Sequence, residues 1–176
     1  MPDLDRRKLL LATVASLASI PVSCCVCRDP GSNSKRIGTR VADRTATSLD
    51  GVAVRFPEVG KVTVVDFWAT WCQPCHALMP ELETLWKLHR AEGLAMVGVE
   101  SGATASTVSD HVRRLGITYT TVVDRGGAIQ RAYEVETLPH TVVIDRAGRI
   151  TSEVVGMSRS GVREIGRAVE QALKTA

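Results

Sequence analysis

Val64-Val65-Asp66-Phe67-Trp68-Ala69-Thr70-Trp71-Cys72-Gln73-Pro74-Cys75 joins two different periodicities. On its upstream side, Val62 to Trp68 is a nearly continuous apolar run rich in β-branched residues, the pattern of a central strand buried on both faces, with Asp66 as its one charged member. On its downstream side, Leu78, Leu82, Leu85, Trp86 and His89 recur at spacings of three and four, one stripe of a helix that Pro80 is expected to bend. Cys72 therefore falls where a buried strand gives way to a helix N-terminus, and Cys75 follows one helical turn later.

Two cysteines separated by two residues serve half of a zinc site as well as a redox pair. A structural zinc site needs four ligands at short spacing, whereas His76, His89, His111 and His140 are scattered and no cysteine follows Cys75, so no metal is expected. The redox reading gives the spacing a reason. At the strand-to-helix junction the Cys72 sulfur meets unpaired backbone N–H groups and the positive end of the helix dipole, which favours its thiolate. Cys75 lies within disulfide reach but deeper, suited to resolving a mixed disulfide formed on Cys72. Pro74 fits the first helical turn, where a missing N–H costs little. No cofactor beyond the cysteine pair is required.

Outward from this junction the chain alternates strand and helix. Leu94 to Val99 reads as a second buried strand, Thr104 to Leu115 as a polar-faced helix, Thr120 to Val123 as a strand and Ala128 to Tyr133 as a short helix. Thr141 to Ile144 and Ile150 to Val155, joined across Gly148, read as a β-hairpin. Val162, Ile165, Val169 and Leu173 mark a closing amphipathic helix. The fold class is α/β, with a mixed central sheet, flanking helices and a C-terminal hairpin and helix.

The quoted stretch, with Pro80 five residues beyond it, resembles the active-site segment of the thioredoxin superfamily, and more closely its exported TlpA/ResA-like branch of thiol-disulfide oxidoreductases. Val123-Asp124, Tyr133-Glu134-Val135, Leu138-Pro139-His140-Thr141 and Val143-Ile144-Asp145 with Gly148 extend the resemblance over about Val41 to Leu173. It implies a thioredoxin fold and a Cys72–Cys75 redox disulfide. It also implies that Asp66 is a buried carboxylate behind the second cysteine, fit to take its proton; a strand residue paired with a buried lysine or water is the other reading. Trp71 matches the tryptophan flanking the nucleophile, as substrate contact or as packing. Pro139 matches a cis proline facing the disulfide, and the backbone at Leu138 would pair with a substrate peptide. Two readings stand for His140, a group near the sulfurs that stabilises a thiolate and a strand cap. The chain departs from the branch at Leu78, where a glutamate is common, so no role passes to that position; Gln73 replaces the glycine of thioredoxin's own dipeptide, and His140 stands where threonine is common.

The N-terminus has a different character. Asp5-Arg6-Arg7-Lys8 precedes an uncharged run from Leu9 to Ile20 and then Pro21-Val22-Ser23-Cys24, the layout of an export signal over residues 1–23, twin-arginine-like in Arg6-Arg7. A helix over the twelve residues of that run would span about 18 Å, short of a ~30 Å hydrocarbon core. Ser23-Cys24 also resembles a lipoprotein signal, making Cys24 a candidate for lipidation, against removal with the signal or an idle thiol shared with Cys25 and Cys27. Residues 24–40 read as a flexible linker and 41–176 as the domain. The formal net charge of +3 resides in the first forty residues, which hold seven Lys/Arg against three Asp, so the domain shows no basic face for nucleic acid.

These readings imply an exported enzyme, periplasmic or on the outer face of a bacterial membrane and anchored there if Cys24 is lipidated. It would reduce disulfides of exported proteins, for example in cytochrome c maturation or thiol repair, with electrons from a membrane thiol reductase. The alternative is a copper metallochaperone holding cuprous ion on Cys72 and Cys75, with or without His140 as a third ligand. A peroxidase of related fold fits less well, since it relies on a single peroxidatic cysteine.

Overall fold

The computed structural model describes residues 34–175. The expected signal at residues 1–23, Cys24, and residues 24–33 of the expected linker lie outside them. A 3-10 turn at Ser34–Arg36 leads into β1 (Arg44–Thr47), β2 (Ala53–Phe56), β3 (Val62–Trp68) and α1 (Gln73–His89). Then follow β4 (Leu94–Glu100), α2 (Ala105–Leu115), β5 (Thr120–Val123), α3 (Ala128–Ala132), β6 (His140–Ile144), β7 (Ile150–Val155) and α4 (Arg159–Lys174).

Five strands form one mixed sheet in the order β5-β4-β3-β6-β7. The crossovers through α1 and α2 make β3, β4 and β5 parallel, whereas β6 runs antiparallel to both β3 and β7. The β6–β7 hairpin turns as its sequence requires. Gly148 has φ 77°, and the Asp145 carboxylate accepts from the N–H groups of Ala147 and Arg149 at 2.9 and 2.8 Å. In α1 the helix continues through Pro80, and the Thr84 hydroxyl donates to the Pro80 carbonyl at 2.9 Å.

Each face of the sheet buries its own apolar cluster. Val64 and Trp68 of β3 pack with Cys75, Leu78, Val108 and Ile165 beneath α1, α2 and α4. On the opposite face Val65 and Phe67 pack with Phe56, Tyr133, Val142 and Ile144. Among the described residues no helix is long and apolar enough to cross a membrane.

Two features lie outside the elements expected from sequence. The strands β1 and β2 form a separate antiparallel pair that the sequence reading omitted, because their four-residue alternation buries only Phe56 fully. The segment just before Val41 is also tied to the β6–β7 turn. Gly38 N–H donates to the Ile150 carbonyl at 2.8 Å, Ile150 N–H to Thr39 at 2.9 Å, and Val41 N–H to Gly148 at 3.0 Å. This polar stretch is held by main-chain bonds along the β6–β7 turn, which composition does not reveal.

Candidate active site

Strand β3 delivers the chain to the N-terminus of α1, and Cys72 is the N-cap residue, with extended backbone at φ −87° and ψ 96°. Its carbonyl accepts from the N–H of Cys75 at 3.1 Å, opening the helix. The side chains of Cys72 and Cys75 are joined in a disulfide with Cα atoms 5.3 Å apart. Cys72 is 4% exposed and Cys75 fully buried, while the neighbouring Trp71 is 72% exposed. The pair thus presents Cys72 as its outer sulfur, beside a large solvent-facing aromatic ring.

The Leu138–Pro139 peptide bond is cis, and Leu138 packs against the apolar cluster that contains both cysteines. The Pro139 carbonyl accepts from Gly156 N–H at 2.8 Å, tying this turn to the end of β7. Asp66 is fully buried at the centre of the sheet, with Gly98 and Thr141 as its register partners. It shares the face of β3 that carries Val64 and Trp68, the face under α1. Burial pushes its carboxyl up from 3.8 to about 7, against the opposing pull of the Thr141 hydroxyl, which donates to Oδ1 at 3.0 Å. No lysine pairs with it among the described residues.

Of the candidate residues, Cys72, Cys75, Trp71 and Leu138-Pro139 gather at one end of the sheet, and Asp66 lies beneath. His140 does not join the sulfurs. As the first residue of β6 it turns its ring to the opposite face, 6.2 Å from Phe67, where Nε2 meets Glu153 Oε1 at 2.7 Å. His140 is therefore not placed as a third ligand beside the two cysteines in this arrangement. Among the described residues no group of three or more His, Cys, Asp or Glu is placed to hold a metal ion.

The structure adds residues that sequence reasoning missed. Glu100, at the end of β4, is buried and accepts from the N–H groups of Thr70 at 3.4 Å and Ala103 at 2.8 Å, bracing the loop that leads into Cys72. Burial raises its carboxyl and the two N–H groups partly offset this. The only sequence signal was an acid closing an apolar run. The His76 ring, directly after Cys75, packs with its centroid 4.3 Å from that of His111, tilted by 50°, and the His111 ring lies 5.5 Å from that of Trp68. Burial holds His111 below the usual histidine range, with His76 and Arg114 adding to the effect.

A family model described as Redoxin matches residues 36–169. The chain is 31% identical over 121 residues to the thiol-disulfide oxidoreductase ResA of Geobacillus kaustophilus, covering 68% of this chain and 70% of that one. Among solved structures, a secreted Mycobacterium tuberculosis disulfide oxidoreductase homologous to DsbE superposes with a TM-score of 0.62 at 26% identity, over 73% of this chain and 95% of that one. A thioredoxin-family thiol:disulfide interchange protein from Chlorobium tepidum gives a TM-score of 0.69 at 24% identity over 77% and 97%, which supports the fold.

Proposed function

The chain belongs to the redoxin family and is a thiol-disulfide oxidoreductase working through Cys72 and Cys75, and on that premise we propose that it reduces disulfides of exported proteins. The observation that carries this reading is the Cys72–Cys75 disulfide at the N-terminus of α1, its outer sulfur beside exposed Trp71, with the cis Leu138–Pro139 turn packed on the same cluster.

In the reduced enzyme the Cys72 thiolate attacks a substrate disulfide, forming a mixed disulfide and releasing one substrate thiolate. Cys75 then gives its proton to the Asp66 carboxylate and attacks the Cys72 sulfur; the mixed disulfide breaks, the second substrate thiolate leaves, and two electrons have passed to the substrate. An acid pushed up to about 7 suits this task, because near neutral pH it is part ionised and able to accept a proton. The exposed Trp71 ring would shape the contact, and the Leu138 backbone would pair with the substrate peptide in extended form. The dithiol is itself the redox group. A membrane thiol reductase returns the Cys72–Cys75 disulfide to the dithiol, and the basic-then-apolar N-terminal segment supports export, with Cys24 as a lipid anchor point.

Equilibrating the pair with glutathione tests the direction. A potential well below about −200 mV is expected, and one near about −120 mV would overturn the reductase assignment. Cys75→Ser should trap partner proteins on Cys72 as mixed disulfides; a failure to trap any would remove the protein-substrate reading.

A further inference from the structure

On the face of the sheet opposite the sulfurs lies a buried ionic chain that the redox mechanism does not use. Glu153 of β7 has a fully buried side chain, and its Oε1 meets Arg36 Nη1 at 3.1 Å and His140 Nε2 at 2.7 Å. Arg36 also donates to the Tyr133 carbonyl. Its guanidinium comes from the N-terminal segment, 117 residues away in sequence. A carboxylate removed from water is tolerable when paired and hydrogen-bonded, so Arg36 and Glu153 hold each other in one geometry. His140 is the far end of this chain, and it directly follows the cis proline.

We propose that Arg36 and Glu153 are positioning residues for the peptide-pairing backbone at Leu138, acting through His140. The cis turn is then held from two sides, by Gly156 N–H on the Pro139 carbonyl and by Glu153 on the ring of the next residue. Leu138, partly buried and packed against both apolar clusters, is the part of the turn left to face a substrate. The inference rests on the reading of the Leu138–Pro139 turn as the substrate edge. It adds that the N-terminal segment takes part in setting that edge. A shift of about 1 Å in a docking strand can cost on the order of a hundredfold, so a modest loosening is measurable.

Arg36→Met separates positioning from general damage when two substrates are compared, a peptide disulfide that needs strand pairing and a small aromatic disulfide that does not. The peptide KM is expected to rise about tenfold with kcat/KM for the small disulfide within about twofold, and Arg36→Lys should restore most of the loss. Should Arg36→Met not fold, as judged by far-UV circular dichroism, the Arg36→Met/Glu153→Gln pair removes both charges and is expected to show the same split. Equal changes for both substrates, or none, overturn the proposal. A wild-type chain that reduces neither substrate instead overturns the reductase reading itself.

Discussion

At the scale of single residues, the proton-accepting role proposed for Asp66 is set against a cost in stability. Its carboxyl is raised from 3.8 to about 7 by burial, so between those values the folded protein holds a proton that the unfolded chain has lost. Stability from this group is complete below about pH 4, declines as pH rises, and is fully lost above about 7. The span corresponds to on the order of 4 kcal/mol. Asp66→Asn, which still accepts from Thr141, should therefore be more stable than wild type at pH 8 and about equal to it at pH 4. Urea unfolding of the oxidised protein at both pH values checks this, and a gap that does not change with pH would sink it. The same substitution should slow release of product from the mixed disulfide and flatten its pH dependence near neutrality, which stopped-flow thiol assays read directly. Asp66 is legible in the sequence because a lone acid inside an apolar strand run is costly and calls for a purpose. His140 was not, because its partner Glu153 lies on the next strand and only three-dimensional pairing reveals which face the ring takes.

At the scale of elements, α1 is tied to the rest of the fold by a second carboxylate. Glu83 accepts from the N–H and hydroxyl of Thr118 at 2.8 and 2.5 Å and from Tyr119 N–H at 3.3 Å, and Lys87 lies 3.0 Å away. Burial pushes Glu83 up, yet these hydrogen bonds and Lys87 together outweigh it and hold the carboxyl below 4.5. Glu83→Ala strands two backbone N–H groups and should cost about 1–3 kcal/mol in denaturant unfolding. Because the folded value is depressed, the contribution is present above about pH 4.5 and fades as pH falls through the folded value, so the gap between wild type and Glu83→Gln should narrow in acid. Gly98 makes a complementary point about packing. A Cβ there would lie 3.1 Å from both Trp68 Nε1 and Tyr119 Cε2, so Gly98→Ala should destabilise by about 1–3 kcal/mol, measured the same way. Strands and helices with a strong period, β3, α1 and α4, were readable from sequence; β1 and β2 were not, since β1 is mostly polar and the short β2 buries only Phe56 fully.

At the scale of the whole molecule, two apolar clusters lie on opposite faces of one sheet, one of them containing both cysteines, and Leu138 packs against both. The order β5-β4-β3-β6-β7 places β3, with Asp66 and the approach to Cys72, directly beside β6, which starts just after Pro139. Hydrophobic periodicity exposed this architecture because burial drives it. The attachment of the segment before Val41 stayed hidden because it is made by main-chain bonds and one guanidinium. A chain beginning at Val41 lacks the Gly38–Ile150 and Ile150–Thr39 bonds and leaves Glu153 buried without Arg36. A buried pair broken on one side costs about 3–5 kcal/mol, so this chain should unfold at markedly lower denaturant than one beginning at Ser34. The loss should fall on β7 and the cis turn more than on α1. Hydrogen exchange that quickens at Ile150 and Gly156 while the core of α1 stays protected would support that placement, whereas uniform acceleration would mean that residues 34–40 stabilise the fold without bearing on the substrate edge.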